Sequence, residues 1–365
     1  MAVSCVGGCG DDNDLDDVVP PPGTGGGGGG GGGSATLTGF AVDNLVSDNA
    51  ELAKRVDPDL VNSWGITPGL GWLVIADNGT GKVSIYDGDG NPKTTPPASG
   101  QIDLGEGITG VVADPENKFM IGSGANCPPA ELIFVNEDGQ VIAFNQAQNP
   151  TGGTVVVNNP GANYKGVTIA GNNLLVANFV GKEINVYDTN FAKVDLGAGA
   201  FTDPNLPADF GPFNVMTIGT DVFVTYAQVD PATGDEVKGK GLGVVDAYDF
   251  NGKLLRRVAD DGDLNAPWGM ALAPATFGDH AGQLLVGNFG DGLINTFDPA
   301  TGEPLGLLAD PQGTPLAVDG LWGMTFGTGG TGGNPDVLYF AAGPNDEANG
   351  LFGRIRPVSV TVTTP

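Results

Sequence analysis

Apolar residues in this chain fall in short blocks that recur at a steady spacing. Trp72-Leu-Val-Ile-Ala ends at Asp77, Asn173-Leu-Leu-Val-Ala at Asn178, and Gln283-Leu-Leu-Val-Gly at Asn288. After each comes a run such as Lys82-Val-Ser-Ile-Tyr86, in which apolar and polar positions alternate as in a half-buried strand. Aromatic-Asp pairs end these runs: Tyr86-Asp87, Tyr187-Asp188, Tyr248-Asp249 and Phe297-Asp298. Ahead of the blocks stand Trp64-Gly65-Ile66, Trp268-Gly269-Met270 and Trp322-Gly323-Met324, with weaker copies at Gly110-Val111, Gly166-Val167 and Asn214-Val215-Met216. Positions 65, 110, 166, 269 and 323, with 215 as the degenerate copy, define a period of roughly 50 residues, the length of a propeller blade.

The pattern predicts an all-β fold: a six-bladed β-propeller of four-stranded antiparallel blades. The sixth repeat runs short after Leu351–Arg356, while residues 37–46 form a strand with no blade of their own. That N-terminal strand (about 37–46) is expected to join the last blade and close the ring, which leaves no long exposed edge. Helical periodicity is nearly absent; Asn49–Arg55 is the nearest candidate, at one or two turns.

Residues 1–34 read differently. Asp11 to Ser34 contains an acidic patch, Pro20-Pro21-Pro22 and an unbroken glycine run, Gly25 to Gly33, a composition that cannot build a core. Small residues before Cys9 and acidic ones after it match the end of a lipoprotein signal, with Cys5 as a second candidate for lipidation. The expected organisation is a leader and tether over 1–34 and one propeller over 35–365. Export, and a membrane link through a lipid anchor alone, follow as expectations. Cys127 reads as a free thiol.

Fifteen Lys and Arg against 43 Asp and Glu give a formal charge of −28. Such a chain repels nucleic acid and anionic membrane surfaces, so neither is an expected partner. The expected partners are a small molecule, a glycan or an envelope protein, bound by a monomer.

In an up-and-down blade the loop leading into the innermost strand and the loop joining the second and third strands lie at one end. Asn62, Trp64, Trp268 and Trp322 fall in or beside the first kind, and Asn78, Asn178, Asn288 and Asn345 in the second. All eight are candidate ligand contacts at the channel mouth. Asp346 and Glu347 have no counterpart in the other repeats and are the candidate metal ligands, with Ca²⁺ as the cation that carboxylate and amide oxygens would hold. No cofactor is otherwise implied. His280, the lone histidine, is placed at the opposite end and excludes a histidine-based triad at the mouth. Asp87-Gly-Asp-Gly-Asn91 starts like a calcium loop, but Pro92 replaces the required glycine and the segment reads as a turn.

At Asp57–Gly65, Leu284–Gly292 and Leu338–Gly353 the chain resembles a family of exported bacterial conserved hypothetical proteins of propeller fold. More distantly it is similar to NHL-type six-bladed propellers, a group of binding modules and calcium-dependent lactonases. The resemblance implies fold and export but no reaction. The reading that results is a binding or scaffold module at the cell envelope. The alternatives are a Ca²⁺-dependent hydrolase or lyase at the channel mouth and a purely structural envelope protein.

Overall fold

The ring closes through the N-terminal strand. In the computed structural model, which describes residues 34–363 except 123, 125 and 261, β1 (Ser34–Ser47) lies beside the last strand of the chain, and β2 (Arg55–Val56) pairs parallel to its end. The expected leader, with Cys5 and Cys9, falls outside the described residues. Blade one comprises β3 (Ser63–Gly69), β4 (Trp72–Asp77), β5 (Lys82–Tyr86) and β6 (Ile102–Asp103); blade two, β7 (Ile108–Ala113), β8 (Leu132–Asn136), β9 (Gln140–Phe144) and β10 (Thr154–Asn158). Blade three has β11 (Tyr164–Ala170), β12 (Asn173–Asn178) and β13 (Glu183–Tyr187). Blade four has β14 (Phe210–Ile218), β15 (Asp221–Gln228), β16 (Gly243–Tyr248) and β17 (Leu254–Asp260). Blade five has β18 (Pro267–Leu272), β19 (Leu284–Asn288), β20 (Ile294–Phe297) and β21 (Pro304–Leu307). Blade six has β22 (Leu321–Phe326), β23 (Leu338–Ala342) and β24 (Leu351–Thr363), followed in the sheet by β1 and β2. The six-bladed, all-β ring is therefore as the periodicity predicts, and residues 36–360 form one compact unit.

Blade three departs from the four-stranded plan. Its outer segment touches β13 through the Tyr187–Lys193 bridge and the Val194 N–H to Val186 O bond, then leaves the sheet. The residues that follow, Gly197-Ala-Gly-Ala200, are small and have poor strand propensity.

The continuous apolar blocks follow from burial on both faces. In β4, Leu73 and Ile75 pack against blade six while Val74 and Ala76 pack against blade two. The same alternation builds an apolar cluster in each of the six gaps between blades, and a seventh cluster lies on the axis. Aromatic-Asp punctuation also has a physical cause. Tyr86 and Tyr248 are buried, whereas Asp87, Asp188, Asp249 and Asp298 each accept backbone N–H bonds across the hairpin turn that follows. Asp87 is thus a turn residue, as its sequence context suggests.

Candidate functional site: the mouth of the axial channel

The Trp-Gly repeat marks a bulge. Register breaks in every innermost strand, leaving Trp64-Gly65, Thr109-Gly110, Lys165-Gly166, Phe213, Trp268-Gly269 and Trp322-Gly323 outside the ladder. A bulge re-aims the side chain it carries, and here a ring of Trp64, Thr109, Lys165, Phe213, Trp268 and Trp322 results. The glycines allow the blades to meet. A β-carbon on Gly65 would lie 2.6 Å from Thr109 O, and one on Gly323 would lie 2.5 Å from Trp64 O. In blade four the position belongs to Asn214 rather than the expected Val215. The Asn214 amide donates to Trp268 O at 2.7 Å, replacing the close backbone contact with a hydrogen bond.

Trp64 and Trp322 stack with ring centroids 3.5 Å apart, and Phe289 stacks on Trp322 at 3.8 Å. Trp268 meets both indoles edge-on, and Phe179 and Phe213 complete a buried plug. All three indole N–H groups in it are buried without a hydrogen-bond partner among the described residues. Below the plug a narrow channel of about 100 Å³ runs between the innermost strands.

One side of the plug is charged. Lys165, the lysine in the tryptophan column, is buried with its ammonium 4.7 Å from the Trp64 ring centroid and 2.6 Å from Glu137 Oε1. A buried ammonium needs such a partner, because desolvation without one costs several kcal/mol. Polar contacts continue from there: Asn78 Nδ2 donates to Glu137 Oε2 (3.2 Å), Asn62 Nδ2 to Asn78 Oδ1 (3.3 Å), and Asn62 Nδ2 also to Glu347 Oε2 (2.8 Å). Asn62 Oδ1 is buried and without a partner.

Glu347 is held in place by an unusual turn. Asn345, Asp346 and Glu347 have φ of 60°, 51° and 65°, three successive left-handed residues, none of them glycine. For Glu this conformation costs about 1–2 kcal/mol. The turn is closed by Glu347 N–H to Gly343 O and Asn349 N–H to Pro344 O. Burial raises the Glu347 carboxyl pKa above the usual range, against the opposing effects of Asn62, Lys238 and Lys165. Asp346, by contrast, is fully exposed, its carboxylate 4.0 Å from Lys238 Nζ.

The loop between β15 and β16 reaches this group of residues. Val229 packs in the plug, Lys238 Nζ sits 4.2 Å from the Phe289 ring centroid, and the Gly239 N–H donates to Asn265 Oδ1. Glu236 lies on the same loop. Burial raises its pKa, opposed by Lys165 and reinforced by Glu347, which puts Glu236 within the field of both groups.

Of the sequence candidates, Asn62, Trp64, Asn78, Trp268, Trp322 and Glu347 come together at the mouth. Asn178 and Asn288 are buried beside it and engage their own loops. Asn178 Oδ1 accepts from the N–H groups of Asn163 and Gly181, and Asn288 bonds Asn265 N–H, Asp263 O and Asp291. Asn345 is exposed and bonds Asn349 and Asp319. His280 bonds Gln283 and packs on Phe40, far along blade five from this loop set. Glu137, Lys165, Glu236 and Lys238 are absent from the sequence candidates; only Lys165 carries a readable signal, as a cation standing in the tryptophan column. Among the described residues, no three Asp, Glu, His or Cys side chains are grouped as a metal site.

These features define a six-bladed propeller with an aromatic axial plug and a charged, asymmetric mouth. No known protein-family profile matches the chain. It is 31% identical over 334 residues to "Uncharacterized protein L690" of Acanthamoeba polyphaga mimivirus, covering 86% of this chain and 85% of that protein. It is 30% identical over 334 residues to "Uncharacterized protein R648" of the same virus, covering 87% and 80%. The chain belongs to the family of these mimivirus proteins. These relatives are viral, whereas the family its motifs resemble is bacterial. Solved structures of similar fold include an auxiliary nutrient-binding protein of Bacteroides thetaiotaomicron (TM-score 0.55, 10% identity, 89% of this chain and 77% of that one). The PQQ-bound aldose sugar dehydrogenase of Streptomyces coelicolor is another (TM-score 0.52, 12% identity, 88% and 98%). At such identities the likeness concerns the fold alone.

Proposed function

We propose that the chain is a binding module whose channel mouth takes a small organic cation, such as an amine. The observation that carries this reading is the charge count at the mouth. Two ammonium groups, Lys165 and Lys238, stand among three carboxylates, Glu137, Glu236 and Glu347, with the exposed Asp346 outside them near Lys238. Glu347 is held over the plug by a strained turn, and strain of this kind clusters at ligand-binding positions. The nutrient-binding description of a propeller of the same fold agrees with a binding role. Titration calorimetry with a panel of small amines and neutral sugars tests it. Amines bind, Glu347→Gln weakens them at least tenfold, and affinity falls as pH drops and the two raised carboxyls take up protons. Equal binding of neutral sugars, or amine binding untouched by Glu347→Gln, refutes it.

The calcium-dependent hydrolase or lyase, lactonase-like in the NHL group, is the weaker reading. Ca²⁺ takes six to eight oxygens, and the mouth offers Glu347 and the free Asn62 Oδ1, with Asp346 turned to solvent. A melting temperature raised by Ca²⁺ in wild type but not in Glu347→Gln would restore it. Export and lipidation at Cys9, or Cys5, extend the proposal to a tethered envelope protein that meets its small molecule, glycan or protein partner outside the cytoplasm. Palmitate labelling lost in Cys9→Ser and Cys5→Ser would establish the anchor.

A further inference from the structure

The third strand of each blade carries one position, two residues before its terminal aromatic or aliphatic residue, that faces the gap to the preceding blade. Its occupants are Ser84, Ile142, Asn185, Asp246, Asn295 and Gly353, matched by their pairing to Ile75, Phe134, Val176, Val224, Val286 and Phe340. Where that residue is polar and large, the fold supplies partners. Asn185 accepts from Tyr164 Oη (3.0 Å) and Asn159, and donates to Glu183 (2.7 Å). Asp246 faces Arg257 across the strand pair and accepts from it at 2.6 Å.

Asn295 is the exception. It is 5% exposed, its Nδ2 has no partner, and its cross-strand neighbour is Leu307. The space beside it is a groove of about 410 Å³ between blades four and five, lined by Val258, Leu264, Phe297 and Leu307 as well as Asn295. The groove opens beside β21, which is only four residues long. Of the described rim carboxylates, Asp260 lies 3.1 Å from Arg257 and Asp263 lies 2.5 Å from Lys240.

An unpaired buried amide costs free energy unless something pairs with it. An apolar pocket of a few hundred Å³ with one convergent polar group is the usual form of a small-molecule site. We infer that this groove is a second ligand site, separate from the axial mouth. It takes a small neutral molecule with an apolar body and one amide, carbonyl or hydroxyl group that accepts from Asn295. The apolar walls favour an uncharged body, and an anion is disfavoured because Asp260 has only a share of Arg257, which also serves Asp203 and Asp246.

Benzamide and benzyl alcohol are suitable probes, read by NMR on the full folded chain. The Asn295 side-chain amide resonances, assigned by their loss in Asn295→Leu, shift on titration. Asn295→Leu weakens benzamide at least tenfold, yet melts at or above the wild-type temperature because the orphan amide is gone. Ala259→Phe, which narrows the groove from its partly exposed wall, abolishes the shifts without touching Asn295. The inference is overturned if neither probe shifts the Asn295 amide, or if benzamide binds both variants as it binds wild type. It is equally overturned if Asn295→Leu melts several degrees lower, which would make Asn295 a structural residue.

Discussion

Replacing Gly323 by Ala tests the bulge-and-carbonyl account of the ring most directly. A β-carbon there would lie 2.5 Å from Trp64 O, 2.9 Å from Ile66 Cγ2 and 3.0 Å from Ile66 N, with backbone atoms as the main obstacle. Real β-carbons keep at least 3.0 Å, so blade six must withdraw from blade one by roughly half an ångström at the tightest point of a closed ring. Overpacking of this kind costs about 1–3 kcal/mol. Gly323 does not need a left-handed backbone, so alanine also narrows the unfolded ensemble, an offset of about 0.4–1 kcal/mol. The net expectation is a loss of about 1.3 kcal/mol, or about 2 °C in melting temperature at roughly 2.1 cal/mol/K per residue of folded chain. Gly65→Ala, at 2.6 Å from Thr109 O, should behave alike. Gly110→Ala should cost little, since its nearest atoms are at 3.0–3.1 Å. Gly71→Ala separates the two effects: open space surrounds it, but its φ is 77°, so it loses about 1 kcal/mol through the backbone alone. Urea unfolding of the four variants decides the matter. A Gly323→Ala protein within about 0.5 kcal/mol of wild type, or one more stable than Gly110→Ala, refutes the reasoning.

At the mouth, Glu137→Gln should destabilise by about 3 kcal/mol, because it strands the buried Lys165 ammonium; Lys165→Met should cost less, since Glu137 is 34% exposed and can rehydrate. Urea denaturation of both variants checks that order. Asp246 shares one guanidinium, Arg257, with Asp203 and Asp260, and burial, opposed by Arg257, leaves its pKa pushed up to about 6. The folded state then holds this proton more tightly than the unfolded one. The stabilisation is complete below about pH 4 and falls by up to about 3 kcal/mol as pH rises to about 6, a slope that Asp246→Asn should remove from stability curves measured over that range. Trp268→Phe should cost less than about 1 kcal/mol in thermal unfolding, because its buried indole N–H has no bond to lose.

Architecture was legible because it rests on periodic burial. Middle strands sandwiched between two blades must be apolar at every position, as in Leu73-Val-Ile-Ala76, and the Trp-Gly bulge must recur wherever neighbouring blades touch. The same logic showed residues 37–46 as a strand in search of a sheet. The mouth was legible only in its repeated parts. Loop topology placed Asn62, Asn78 and the tryptophans at one end. It could not tell Asn78, which reaches Glu137, from Asn178 and Asn288, whose amides are consumed by local backbone. Glu137, Lys165, Glu236 and Glu347 come from four different blades, and only tertiary packing brings their charges together. The β15–β16 loop showed its length in the sequence, but its direction over the plug is set by Val229 and Lys238 finding aromatic surface.

The distribution of exceptions around the ring explains how a repeat protein can have an asymmetric axial mouth. Six equal blades would offer six equal contacts, which suits the ring itself but no asymmetric ligand. Here the tryptophan column holds in blades five, six and one and fails in blades two and three, where Thr109 and Lys165 stand. The adjoining loop column breaks over an overlapping sector, with blade two common to both: it carries Phe289 in blade five and Phe179 in blade three, but Asn78 and Glu137 in blades one and two. The plug is thus apolar on one side and charged on the other, and Glu236 from blade four and Glu347 from blade six complete the charged group. Residues that keep the pattern hold the blades together, as Gly323 does against Trp64 O. Residues that break it are free of that duty, and in this chain they converge on one sector of the axis.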